Sequence, residues 1–194
     1  MKFSHPLLTR LSWLALIACA GGWFQPAAAR AEATPEYKLK AVYLFKMVRF
    51  VKWPTNSFPA ADSPLVIGIL GENPFDHELD KLMNGTVVGG RTVVVKGMAT
   101  ATDAKKCQAV FIPASEQANL HLHLTALRTV PVLTVGEGTE FLDDGGMVEF
   151  FVEQNKIRFN INQAQADAEG VRLDSQLLSL ASTVRQAAGK KEAN

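Results

Sequence analysis

LVIGILGENPF, Leu65 to Phe75, is the stretch on which the fold turns. From Leu65 to Gly71 there is no charge and no polar alternation, so a strand here has no wet face. Such a strand belongs inside a sheet that is covered on both sides. FDHELDKLMNG follows with Leu79 and Leu82 on one side and Gly85 beyond the end, which predicts a short helix. The alternation then continues: RTVVVKGM and QAVFIP read as strands, SEQANLHLHLTALR as a helix opened by Ser115 and closed near Arg128, and VPVLTVG as a fourth strand. Alternating strands and helices predict an α/β fold, a single layered domain with a mixed, largely parallel sheet and flanking helices.

Further along, MVEFFVE and KIRFNIN flank Gln154-Asn155. Pairing Glu153 with Lys156 sets Val152 against Ile157, Phe150 against Phe159 and Val148 against Ile161 on one side. The other side receives Phe151 with Arg158, Glu149 with Asn160 and Met147 with Asn162. On the first side every apolar residue meets an apolar one, so an antiparallel hairpin near the carboxyl terminus is predicted in this register. Beyond it, Asp174 or Ser175 caps a helix expected over SQLLSLASTVRQ, and 189–194 reads as a flexible tail.

At the other end, Thr34-Pro35 opens a helix with Tyr37, Ala41, Leu44, Phe45, Val48 and Val51 on one face. Lys38, Lys46, Arg49 and Lys52 fall on the opposite face, with Lys40 the exception, and Pro54 ends the element. Residues 1–31 precede it and have the anatomy of a removable export signal: Lys2 and Arg10, the apolar run LSWLALIACAGGWF, and the small residues of AAARA. Cys19 within LIAC offers a lipid anchor as the alternative.

A chain beginning at Glu32 keeps 163 of the 194 residues, enough for one domain, here 32–188. With Lys2, Arg10 and Arg30 removed from the 20 basic residues, 17 stand against 19 acids, a formal charge of −2. That balance argues against nucleic acid or an anionic membrane as the main partner. Cys107 is then the single thiol, so no disulfide forms within the chain; its place at the edge of an apolar strand predicts a buried, inert group.

Gly68 with Gly71, and Gly136 with Gly138, stand where an α/β protein can cradle phosphate, but neither pair completes a phosphate-binding pattern. Glu72 and Glu137 follow them and oppose an anion. The plain reading is helix-start glutamates answering the helix dipole; the alternative is a pocket for an amine, with Glu72, Asn73 and Glu137 at its rim. His121 and His123 lie two apart, the wrong spacing for one helix face, and Asp143-Asp144-Gly145-Gly146 lacks the alternating oxygens of a calcium loop, so no metal is expected. No catalytic signature and no cofactor motif is present, and an enzyme is not expected. The hairpin's second side groups an aromatic, a cation and two amides: Phe151, Arg158, Asn160 and Asn162. It reads as a solvated or covered sheet face, or as a recognition surface.

Taken together, EYKLKAVYLFKMVRFVKWP, LVIGILGENPF, CQAVFIP, VPVLTVGEG, FLDDGGMVEFFVE and KIRFNINQAQADAEGVRLDSQLLSLA resemble the YfiR family of periplasmic regulators. The resemblance spans the chain after the export signal, in order. It implies a non-enzymatic α/β repressor that binds the periplasmic domain of an inner-membrane diguanylate cyclase or sensor and lowers cyclic-di-GMP and biofilm formation. An outer-membrane lipoprotein that sequesters the repressor, and a homodimer, belong to the same implication. The best-known relative has intramolecular disulfides, which Cys107 alone cannot reproduce. By the resemblance, the amino-terminal helix and its Trp53-Pro54 end, with Arg49, are candidate receptor contacts.

Overall fold

The computed structural model describes residues 33–83 and 85–187. The expected export signal, Cys19 and the tail lie outside them. In chain order the elements are α1 (Pro35–Met47), β1 (Val51–Lys52), β2 (Leu65–Leu70), α2 (Glu78–Met83), β3 (Val87–Val88), β4 (Arg91–Met98), α3 (Ala101–Ala104), β5 (Ala109–Ile112), α4 (Leu120–Leu127), β6 (Leu133–Glu137), β7 (Val148–Glu153), β8 (Lys156–Asn162), α5 (Gln163–Ala168), β9 (Arg172–Leu173), α6 (Ser175–Leu180) and β10 (Thr183–Arg185).

Eight strands form the main sheet in the order β10-β8-β7-β6-β5-β2-β4-β3. From β4 through β7 the neighbours run parallel, while β3 and β8 are antiparallel to β4 and β7. The apolar run at Leu65 has the place its composition demands, with Leu65, Ile67 and Ile69 in one core and Leu70 in the other. Alternation carries this through the sheet: Phe111 and Val135 join α1 and α2 on the first face, and Val110 and Ile112 join α3 and α4 on the second. The hairpin has the expected register, from Glu153 opposite Lys156 to Val148 opposite Ile161. Gln154 and Asn155 both take positive φ, 49° and 59°, as a two-residue turn between twisted strands requires.

Three of the expected helices differ in extent. The first helix stops at Met47; a 3-10 turn over Val48–Phe50 leads into β1, which pairs with β9. Helical backbone is disfavoured at Trp53 by Pro54, and the Asp174 N–H bonds to the Phe50 carbonyl, so the segment gains partners as a strand. The second difference is in the helix expected over SQLLSLASTVRQ. It begins as foreseen, with the Asp174 carboxylate accepting from Gln176 N–H at 2.9 Å, but ends at Leu180. Thr183 and Val184 then extend as β10 along the outer edge of β8, where sheet hydrogen bonds outweigh helix propensity. Finally, Ser115 caps no helix: a 3-10 turn occupies Ala114–Asn119 after Pro113, and α4 starts at Leu120.

One glycine of VGEG, Gly136, and one of DDGG, Gly146, are explained by the same aromatic ring. Phe141 is fully buried, and a Cβ on either Gly136 or Gly146 would occupy the space of its ring. One glycine lies on β6 and the other just before β7, so the ring is held in a slot between them. Phe75, at the matching place after the first Gly-Glu pair, packs in the other core against Phe111, with ring centroids 4.6 Å apart. The two segments look alike in sequence but insert their rings on opposite faces. Gly136→Ala is expected to destabilise the fold by about 1–3 kcal/mol or more, because the ring must leave its slot or the strand must shift. Urea unfolding measures the loss, which should exceed that of Gly97→Ala, where nothing lies within 4 Å of the added methyl.

Candidate functional site

Open α/β sheets hold ligands beyond the carboxyl ends of their strands, where neighbouring connections diverge to opposite sides. Here β2 is that point, flanked by β4 and β5. Glu137, at the end of β6, is buried and faces α1. Its Oε1 accepts from Lys40 Nζ at 2.5 Å, and its Oε2 accepts from the Tyr37 hydroxyl at 3.0 Å and from the Ala114 N–H at 3.1 Å. Lys40 also pairs with Glu36. It departs from the basic stripe because it lies on the buried face of α1 with Ala41, Leu44 and Met47. Burial, first, and then the charge and hydrogen bond of Glu137 push the Tyr37 hydroxyl well above its usual range.

The other members of the expected amine pocket do not join this cluster. Asn73 accepts from Phe75 N–H at 2.9 Å and donates to the Asp76 carbonyl at 3.0 Å, a turn that aims Phe75 into the core. Glu72 is exposed. Glu116 lies over Gly71 and Gln117 over Gly138, so the 3-10 turn after β5 covers both Gly-Glu strand ends. His123 Nε2 is 3.0 Å from Glu116 Oε2, and His121 Nδ1 is 3.3 Å from Asp144 Oδ1, so the two imidazoles have separate partners. Among the described residues no cluster of three or more His, Cys, Asp or Glu is arranged for a metal.

The second side of the hairpin is different. Phe151 is half-buried, Arg158 Nε contacts Glu153 Oε2 at 2.7 Å, and Asn160 Nδ2 donates to Glu149 Oε2 at 3.0 Å over a buried carboxylate. Asn162 is committed internally: it caps α5 through Gln165 N–H at 3.1 Å and reaches the Leu142 carbonyl at 3.4 Å. β10 enlarges this face, since Thr183 pairs beside Asn160 and Arg185 beside Asn162. Arg185 Nη1 contacts Asp143 Oδ1 at 2.5 Å. Reading Thr183 and Arg185 as helical concealed them; the signal was the β-branched pair Thr183-Val184 after the helix.

Arg49 and Trp53 lie past the end of α1. Arg49 is exposed in the 3-10 turn, 5.6 Å above the Phe45 ring, and Trp53 Nε1 donates to the Gln108 carbonyl at 2.6 Å. Lys38 and Lys46 share the outer side of the helix, while Lys52 stands on β1 opposite Arg172. The basic stripe is therefore split between a helix and a strand. Its groups, like those of the hairpin, can offer ion pairs, hydrogen bonds and ring contacts to another surface.

Two measurements follow from the buried groups. Lys40→Met leaves the Glu137 carboxylate without its cation and should cost roughly 3–5 kcal/mol in urea unfolding at neutral pH. Adding Glu137→Gln should recover much of that loss. Separately, burial pushes the Cys107 thiol up to about 11 from 9.0, against a smaller opposing pull from Lys96. Tyr37 is also raised, from 10.0, so both groups hold protons more tightly in the folded state. Their contributions are complete below pH 9 and 10, respectively, and are lost as pH rises through the folded values. The urea midpoint should fall from pH 9 upward, and Cys107→Ala should remove the portion lost between pH 9 and 11.

No curated protein matches the sequence significantly. Among solved structures, a conserved domain protein from Vibrio cholerae O1 biovar El Tor aligns at 12% identity with a TM-score of 0.51, over 80% of this chain and 62% of that one. The ABC domain from Streptococcus pneumoniae, in complex with L-Trp, aligns at 12% identity and TM-score 0.51, over 76% of this chain and 60% of that one. The chain thus spans about three-fifths of the length of these structures, and the likeness is one of fold. No described helix is long and apolar enough to cross a membrane. A protein-family match runs over residues 37–182, from the tyrosine on Glu137 to the residue before β10. The chain belongs to the YfiR/HmsC-like family, whose members are periplasmic and regulatory rather than catalytic.

Proposed function

We propose that this protein is exported to the periplasm, binds the periplasmic sensory region of an inner-membrane diguanylate cyclase, and holds down cyclic-di-GMP synthesis. Family membership supports the regulatory role. The observation that carries the reading is the internal use of the strand ends. Lys40, Tyr37 and the Ala114 N–H occupy the Glu137 carboxylate at the end of β6, and the turn after β5 lays Glu116 over Gly71 at the end of β2 and Gln117 over Gly138. The groups displayed outward are those of a binding surface: Arg49 at the end of α1, and Phe151, Arg158 and Asn160 on the hairpin. Trp53 is turned inward, its indole N–H donating to the Gln108 carbonyl. Sequestration by an outer-membrane lipoprotein would relieve the repression, and a homodimer would present the same surfaces twice.

The test has a cellular and a molecular arm. Deleting the gene should raise cyclic-di-GMP and surface attachment, and the periplasmically purified protein should capture the sensory domain of a membrane diguanylate cyclase. Unchanged cyclic-di-GMP together with no captured receptor would overturn the proposal. Arg49→Glu should weaken repression several-fold while leaving the unfolding midpoint within about 0.5 kcal/mol, as expected for an exposed side chain. Full repression by that variant would remove Arg49 from the contact surface.

A further inference from the structure

Two of the large exposed apolar side chains, Leu39 and Leu180, meet at one groove. Leu39 on α1 is 44% exposed and Leu180 at the end of α6 is 67% exposed, and both line a groove of about 500 Å³. Tyr43, Ile157 and Phe159 complete its apolar walls. Scattered single leucines need no explanation, but apolar walls around a concavity are a feature of binding sites.

The groove also runs along an incompletely paired strand edge. In β8 the Asn162 N–H bonds toward β7, to the Met147 carbonyl at 2.7 Å, whereas the Phe159 carbonyl faces the other way and accepts from Ser182 N–H at 2.9 Å. Backbone groups alternate in direction along a strand, so Ile157 and Phe159 turn outward. β10 covers β8 only from Asn160 to Asn162. The N–H and C=O of Ile157 and the N–H of Phe159 consequently have no hydrogen-bond partner among the described residues, and all three stand beside the groove. Unpaired edge groups next to side-chain pockets are the two components of strand addition, in which main-chain bonds supply affinity and the pockets supply selectivity.

Charge narrows the occupant. Lys156 and Arg158 line the groove, and no Asp or Glu does; Arg158 is already paired with Glu153, which leaves Lys156 to attract an acid. A second copy of this chain approaching through the same edge would set these cations against their own counterparts, which is unfavourable in a strand pair. We propose that the groove receives an extended segment of a partner protein as an added strand on β8, with an apolar side chain between Leu39 and Leu180 and an acidic side chain beside Lys156. The free stretch from Lys156 to Phe159 accommodates about four residues, or roughly 13 Å of strand. The inference rests on the reading of this molecule as a protein-binding regulator, and it names the chemistry of the segment that is bound.

Selection of random seven-residue peptides on the periplasmically purified protein tests this directly. Sequences alternating apolar and acidic residues should be enriched. A selected peptide, made synthetically, should bind at least tenfold more weakly when its backbone amides are N-methylated. It should also bind at least tenfold more weakly to Leu39→Asp/Leu180→Asp, which changes only exposed side chains, while Leu39→Met/Leu180→Met retains binding. Absence of enrichment, enrichment of basic sequences, or indifference to N-methylation or to the aspartate pair would overturn the proposal. Circular dichroism and the unfolding midpoint verify that the aspartate variant folds. In cells, a gene deletion without effect on cyclic-di-GMP would sink the proposed function while leaving peptide docking intact. Normal repression by the peptide-blind aspartate variant would instead remove the groove from the regulatory interface while leaving the proposed function intact.

Discussion

A carboxylate buried at the end of a central strand constrains much of this molecule. Removing Glu137 from water costs several kcal/mol, and the loss is tolerable only if a cation and hydrogen-bond donors are placed on it. The chain supplies them from two separate segments: Lys40 and Tyr37 from α1, and the Ala114 N–H from the turn after β5. Because Lys40 and Tyr37 lie one helical turn apart, satisfying both oxygens sets the rotation of α1 as well as its position. That rotation turns Ala41, Leu44 and Met47 into the core and leaves Leu39 outside. The electrostatics at the strand ends and the apolar groove near the sheet edge are thus two consequences of one helix orientation.

Much of the architecture was legible because its signals are local and redundant. The polarity-free strand at Leu65, its helix-punctuated repetition, and the hairpin's two complementary sides each admitted few arrangements. Elements that depend on a distant partner were not legible. Val51-Lys52 has no strand signal beyond two residues and a following proline; it extends because Arg172-Leu173 lies alongside. Thr183 to Arg185 continued a helical pattern on paper, yet the outer edge of β8 had hydrogen bonds to offer. α5 was overlooked because Asn162 reads as the end of a strand, whereas its side chain is also the cap of the next helix.

The candidate site was legible in its parts and not in its grouping. Glu72, Asn73 and Glu137 share a position after strands, which suggested a common rim. A glutamate followed by glycine says nothing about whether a lysine, 97 positions earlier, will reach it. Lys40 was noticeable only as an interruption in a basic stripe, and the interruption proved to be the informative residue. Likewise, Gly136 invited a phosphate reading with Gly138, when its physical role is to leave room for the Phe141 ring.

The pairing of β1 with β9 joins an early element to a late one, and the order in which the two appear matters. A polypeptide emerging amino terminus first presents α1 long before Glu137 exists, and β1 longer still before Arg172 and Leu173 follow. α1 finds its first apolar partners in β2 and α2, whereas β1 has no strand partner until β9 follows. The closing contact therefore spans a long stretch of sequence, and such long-range closure slows folding. The two-residue pairing therefore marks completion: β1 gains its strand partner only once β9 has been made.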